Sequence, residues 1–312
     1  MFSIVFYNLE NFFDTYDDPD TYDDDYTPRG IMHWIKKRYF RKANKIGKAI
    51  EKIGFKETGH IPALIGVCEV ENRRVLNDII HSKALKKKKY DFVHYESADI
   101  RGMDVALIYD EKAFQLLESK VFPVELYNFK GESYKTRDIL YCRGLLYKVP
   151  VHLFINHWPS RREGDMESDQ KRKLASQILR EQIDYIKYEE DNPFIIVMGD
   201  FNADPADENI KYVMQKDFFN PATSLFEKKK GTTFHRKKAL MYDQMMFTYN
   251  FKQAGSPLKF KYFSIYKPGF LVTWKGKFKK LPFRTYLGRK YQNGYSDHFP
   301  VYSILEDSTS GL

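Results

Sequence analysis

The chain has 312 residues, 51 Lys and Arg against 42 Asp and Glu, and a formal net charge of +9. Hydrophobic residues make up 43% and aromatics 16%, enough for a large packed core, so a globally disordered chain is excluded. No run approaches the roughly 20 apolar residues that cross a bilayer, so no transmembrane segment is expected. The basic balance makes nucleic acid or an anionic lipid surface a reasonable partner. The two cysteines, Cys68 and Cys142, lie in apolar runs and read as core residues rather than a disulfide framework. The N-terminus lacks the regions of a signal peptide, and a cytoplasmic monomer is the expectation.

In chain order, residues 3–7 form an apolar strand that opens into Asn8-Leu9-Glu10-Asn11, an amide and a carboxylate at its mouth. The acidic run 17–25 lacks the Gly and Glu spacing of a calcium loop and reads as a solvated loop. A helix over 41–53 precedes a second strand, 64–68, which ends in Glu69-Val70-Glu71-Asn72. A carboxylate after an apolar run is expensive to bury without a cation or donor. A helix over 75–82 and the Lys run 86–89 follow, then Arg101-Gly102-Met103-Asp104 ahead of a strand at 105–109.

Strands are predicted at 140–147 and 151–156, the latter running into Asn156-His157-Trp158-Pro159-Ser160-Arg161-Arg162. A histidine and two guanidinium groups in one turn suit a phosphate. Residues 168–189 form a helix with Leu174, Ile178, Ile183 and Ile186 on one face, as a helix covering a sheet requires. The next strand, 194–198, stops at Gly199 and then presents Asp200 and Asn202 on alternating positions, so the two face one side. Such a pair can hold an attacking water and donate to a phosphate oxygen. Asp243-Gln244 stands before Met245-Met246-Phe247, and Ser296-Asp297-His298 before a last strand at Val301, with turn chemistry at Gly294 and Ser296. Asp104 is placed to orient His157, and Asp243 to orient His298. Strands and helices interspersed through both halves, with no internal repeat, make the class mixed α/β.

In this order the pieces resemble the endonuclease/exonuclease/phosphatase superfamily, which includes pancreatic deoxyribonuclease, apurinic endonucleases, neutral sphingomyelinases and inositol polyphosphate 5-phosphatases. The motifs run in family order from residue 8 to residue 298 and cover essentially the whole chain. Tyr7 to Asp14, Cys68 to Asn72, Arg101 to Leu107 and Pro282 to Tyr286 are similar to a bacterial group labelled only by superfamily. The turn Asn156-His157-Trp158 departs from the Tyr-containing turn of the apurinic endonucleases and is closer to the deoxyribonuclease arrangement.

The resemblance implies a four-layer α/β sandwich, two face-to-face mixed β-sheets flanked by helices, in a single domain over 1–312. It implies Glu69 as the main metal ligand with Asn8, Glu10 and Asp297 nearby, and such oxygen ligands suit Mg²⁺ or Mn²⁺. Asp200 and His298 would position and deprotonate water, with His298 oriented by Asp243. Asn202 and His157 would stabilise charge on phosphorus, with Asp104 behind His157. Arg101, Asn156, Ser160, Arg161 and Arg284 are the expected substrate contacts.

A nuclease is the first reading, from the net charge and the basic segments 228–230, 236–238 and 277–280. The second is a phosphatase or phosphodiesterase acting on a phosphoinositide, a sphingolipid or a small organic phosphate. A catalytically silent binding protein ranks last, because no motif residue is missing.

Overall fold

The computed structural model describes residues 1–127, 133–160 and 165–308. Twelve strands carry the architecture. The first five are β1 (Phe2–Phe12), β2 (Leu64–Val70), β3 (Tyr90–His94), β4 (Asp104–Asp110) and β5 (Phe114–Phe122). Then come β6 (Ile139–Leu146), β7 (Val149–His157), β8 (Ile195–Asp200), β9 (Phe218–Phe219), β10 (Asp243–Thr248), β11 (Leu258–Ile265) and β12 (Val301–Asp307).

They form two six-stranded sheets, ordered β11-β12-β1-β2-β4-β3 and β9-β10-β8-β7-β6-β5. Each sheet holds one parallel pair near its centre, β1 with β2 and β7 with β8, and all other neighbours run antiparallel. Four main helices flank them: α1 (Lys36–Lys52), α2 (Arg73–Ile80), α3 (Asp165–Glu189) and α4 (Glu208–Met214).

Strand alternation sorts the side chains into layers. Phe2, Ile4 and Phe6 of β1 meet Ile196 and Met198 of β8 and Met245 and Phe247 of β10 between the sheets. Val5 and Tyr7 face outward onto Ile46 and Ile50 of α1 and Leu76 and Ile79 of α2. On the other outer face Ile195 and Val197 pack against Leu179 and Ile183 of α3 and Ile210 and Val213 of α4. The result is the expected helix–sheet–sheet–helix sandwich. The sheets close tightly at Gly66, where a Cβ would stand 2.6 Å from Met198 Sδ.

The same alternation places the polar residues. Asn8 continues the inward series of Ile4 and Phe6, Asp200 that of Ile196 and Met198, and Asp243 that of Met245 and Phe247. The apolar layer between the sheets therefore ends, at one edge of the sandwich, in an amide and two carboxylates.

Two irregularities at that edge lie beyond what periodicity reveals. The β1–β2 register shifts between Asn8 and Phe12, and the β2–β4 register shifts between Cys68 and Val70. Glu10, Asn11 and Glu69 carry positive φ there, at 54°, 44° and 58°. Bulges of this kind re-aim side chains, and non-glycine residues held at positive φ collect at functional sites.

Candidate active site

Asn8 is the hub. Wholly buried, it donates from Nδ2 to Glu69 Oε1 and Asp200 Oδ2, each at 3.0 Å, and accepts from the Glu10 N–H at 2.9 Å. One amide thus ties the first sheet to the second. Glu69 is held on its other oxygen by the Asn11 N–H at 2.7 Å, a donor that the bulge in β1 supplies. Without the bulge in β2, Glu69 would follow Val67 onto the helix side of the sheet.

Asp243 and His298 pair as expected: His298 Nδ1 lies 2.7 Å from Asp243 Oδ2. The other ring nitrogen, Nε2, lies 3.9 Å from Asp200 Oδ2. Burial alone would lower the His298 pKa, but Asp243, Asp200 and Asp297 outweigh it and hold the pKa well above the ordinary value. Asp200 moves the other way from a free carboxylate: burial lifts it to about 7, against the pull of His298. Its Oδ1 also accepts the Asn202 N–H at 3.0 Å. Ser296 fixes the whole loop, since its Oγ donates to Asn8 O at 2.7 Å and accepts the His298 N–H at 3.0 Å.

His157, at the end of β7, directs Nε2 toward Glu69 Oε1 at 3.9 Å. Its expected partner, Asp104, is engaged elsewhere. The register shift carries Asp104 opposite Val70, where its oxygens accept from His94 Nε2 at 3.0 Å and from the Ser97 N–H and hydroxyl. Asn156 is also corrected as a substrate contact. It is wholly buried, accepts from Trp158 Nε1 at 3.2 Å and donates to Met198 O at 3.3 Å, bracing the turn from behind. Gly199 is required beside it, because a Cβ there would lie 2.5 Å from Asn156 O.

Asn202 donates to Trp158 O at 2.9 Å from a backbone at φ 48°. The same carbonyl accepts from Arg137 Nη2 at 3.0 Å, while Arg137 Nη1 donates to Asp99 Oδ2 at 3.0 Å. Arg101 completes the cluster by bonding Asp99 Oδ2 at 3.3 Å, so its guanidinium is tied back rather than extended. Burial works to raise Asp99, but Arg137 and Arg101 overcome it and hold the carboxyl below its ordinary value. Nothing in the pattern of residues around Arg137 marks it. Ser160 is partly buried at the end of this turn, and Arg161 lies outside the described residues.

Glu10 and Arg284 are turned from their expected tasks. The Glu10 carboxylate accepts the Thr285 N–H at 2.5 Å and the Tyr286 N–H at 3.4 Å, which ties it to the 284–286 loop. Burial lifts its pKa to about 7. Arg284 spans two acids, with Nη2 2.7 Å from Asp297 Oδ2 and Nε 3.4 Å from Glu10 Oε1.

Beneath them Lys42 donates to Glu10 O at 2.6 Å, its pKa lowered to about 8 by burial. Lys42 was legible as an oddity, a cation on the apolar stripe Tyr39, Ala43, Ile46 and Ile50 of α1. Tyr26 is a further neighbour the sequence did not mark. Burial raises its pKa, and the charges of Glu10, Glu69 and Asp297 push it further.

Two buried groups bring candidate metal-ligating atoms within 4.8 Å of one another: Cys68 with His157 and Asp200, and Asp200 with Asp243 and His298. Burial and nearby carboxylates push the Cys68 thiol up, which keeps it protonated and a poor ligand. Asp243 Oδ1 is buried with no hydrogen-bond partner, so carboxylate oxygen is available in the pocket. With Glu69 and the Asn8 amide beside it, the donor set is hard and oxygen-rich, which fits a divalent cation of the Mg²⁺ or Mn²⁺ type. No helix among the described residues is long and apolar enough to cross a membrane.

Among curated proteins none matches the chain in sequence. Several solved structures share its fold. Humanized TDP2 of D. rerio is 14% identical with a TM-score of 0.58 over 98% of both chains. The mannosyl-6-phosphatase of Bacteroides thetaiotaomicron is 14% identical with a TM-score of 0.58, over 98% of this chain and 100% of that one. An endonuclease/exonuclease/phosphatase family protein of the same bacterium is 15% identical, with a TM-score of 0.58 over 97% of both. The profile of the Endonuclease/Exonuclease/phosphatase family matches residues 3–307, and with that match over nearly its whole length the chain belongs to this family of phosphoester hydrolases.

Proposed function

We propose that the chain is a Mg²⁺-dependent phosphodiester hydrolase, with a nucleotide-derived ester as the first substrate class. The observation that carries the reading is the convergence of Asn8, Glu69, Asp200, Asp243 and His298 at the end of the inter-sheet core: Asn8 bonds Glu69 and Asp200 at 3.0 Å, Asp243 bonds His298 at 2.7 Å, and His298 Nε2 stands 3.9 Å from Asp200. A chain folding for stability alone would close that edge with apolar residues, since buried carboxylates are costly.

Glu69 and Asn8, with Asp297 close by, would hold the cation. When bound, the cation neutralises charge on the phosphoryl oxygens. Asp200, with a pKa of about 7, is suited to accept a proton from water at neutral pH. The water oxygen bonds phosphorus in line with the leaving group, and the proton passes to Asp200 and then to solvent. The His298 imidazolium, oriented by Asp243, faces the phosphate and stabilises the added charge. The P–O bond to the leaving alcohol breaks, and His157 is placed to supply that oxygen with a proton.

The test is hydrolysis of bis-p-nitrophenyl phosphate and of oligonucleotides with Mg²⁺, beside EDTA and beside His298→Ala. Activity abolished by EDTA and lowered by about 10²- to 10⁴-fold in the variant is expected. Activity indifferent to both would overturn the mechanism.

A further inference from the structure

Beside the site, a cleft of about 490 Å³ opens between the ribbon Thr233–His235/Lys238–Leu240 and the loop 273–287. We propose that this cleft receives one ester arm of the substrate, and that the arm is a planar group carrying a negative charge of its own, of nucleotide size. The proposal rests on the phosphoesterase reading and adds to it which side of the phosphate the enzyme recognises.

The cleft and the reacting centre share a wall. Asp297 and Arg284 line the cleft, and Thr233 Oγ1 holds Asp297 O at 3.2 Å. A group bound there is therefore continuous with a phosphate bound at Glu69 and His298. The volume falls within the roughly 300 to 1,000 Å³ typical of small-ligand sites. Its apolar surface comes from Phe234, Phe278, Leu281 and Phe283. Aromatic faces of this kind are satisfied by a flat partner.

The charges at the mouth decide what the flat partner carries. Arg284 is already neutralised by Asp297 and Glu10. Arg236, Lys237 and Lys277 are exposed at the rim and, among the described residues, make no salt bridge with an acid. Lys277 Nζ also lies 6.0 Å from the centre of the Phe278 ring, so cation and aromatic face stand together. Three cations without an acidic partner around an aromatic slot complement an anion attached to a ring system. An aliphatic chain would leave the cations unused.

An acidic loop limits how far the substrate extends. Tyr26, directly after the loop 17–25, meets Tyr286 edge-on at 6.2 Å, next to the cleft residue Leu287. Further back the same loop is fastened to the turn before β4 by Tyr22 N–H to Ile100 O at 2.7 Å. It exposes Asp17, Asp18, Asp20, Asp24 and Asp25. A polyanion continuing past the cleft along this loop would run onto these carboxylates, whereas a small ester or a strand end anchored in the cleft would not.

The experiment compares three p-nitrophenyl phosphodiesters with Mg²⁺: the methyl ester, the thymidine 5′ ester, and the thymidine 5′ ester bearing a 3′-phosphate. The expected kcat/KM rises in that order, by at least 10-fold from first to last, and Lys277→Glu or Arg236→Glu collapses the ratio. Equal kcat/KM for the three, or a ratio unchanged in both variants, would overturn the proposal. Calorimetric titration with thymidine 3′,5′-bisphosphate is run in parallel. If no ester is cleaved, the phosphoesterase reading fails and the titration alone decides. Binding that is lost in Lys277→Glu supports the subsite, and no binding to the parent protein overturns it.

Discussion

Asn8 and Asp200 are separated by 192 residues and belong to different sheets, yet Asn8 Nδ2 donates to Asp200 Oδ2 at 3.0 Å across the gap between them. The amide is a neutral donor shared by two carboxylates at that edge. Asn8→Ala would leave a half-buried oxygen of Glu69 and a buried oxygen of Asp200 without it. A loss of about 1–3 kcal/mol is expected in urea denaturation, together with a fall in kcat that added Mg²⁺ does not restore. Wild-type stability in the variant would show that the bond across the sheets contributes nothing.

Asp200 makes stability depend on pH with a definite sign. Its folded pKa, about 7, stands above that of an unfolded aspartate, so the native state holds the extra proton. The associated stabilisation is full below about pH 4 and is lost as pH rises through 7. Metal-free protein should therefore weaken between about pH 4 and 7 by an amount on the order of 1–3 kcal/mol, and Asp200→Asn should flatten that slope while abolishing hydrolysis. An unchanged slope in the variant would place the titration on another group.

Gly199→Ala tests the close approach of β7 and β8. The added Cβ meets backbone, Asn156 O at 2.5 Å, which cannot swing aside as a flexible side chain would. Overpacking of this kind costs about 1–3 kcal/mol. Because Asp200 follows directly and His157 lies opposite it in register, kcat should fall by 10-fold or more, read against thermal unfolding in the same preparation. Full activity with lowered stability would separate the packing from the chemistry.

Arg137→Leu removes the donor that joins Trp158 O to Asp99. Breaking a buried pair costs about 3–5 kcal/mol, and a drop of that order in denaturant unfolding is expected. Asp99 sits below the ordinary carboxylate range, so its contribution is present above the unfolded pKa and lost as pH falls through the folded one. The variant should therefore lose most stability near neutrality and converge with the wild type in acid.

The strands around the site were legible because each is a short apolar run ended by a polar residue, and period-two alternation alone carries Asn8, Asp200 and Asp243 to one face. The partnership of Asp243 with His298 was also anticipated. The errors fall where the backbone leaves that period. Glu10 and Asp104 lie beside register shifts, of two residues between β1 and β2 and of one between β2 and β4, and each carboxylate meets a different neighbour as a result. Asn156 was misjudged because a buried amide and a ligand-binding one look identical in a turn. Arg137 and Tyr26 reach the site from segments whose local pattern has no period, so only tertiary proximity reveals them. The edge strands β5 and β11 are buried only at their first residue and gave a weak apolar signal, and β3 is only five residues long.

The placement of β12 between β1 and β11 sets when the enzyme can act. His298 and Ser296 sit just before β12, and Ser296 clasps Asn8 O near the other extreme of the sequence. Until β12 zips against β1, no partly folded form holds His298 against Asp243 and Asp200. Closing so long a loop is slow. A nascent or partly unfolded molecule is thereby a silent one, and hydrolytic competence arrives as a property of the completed sandwich.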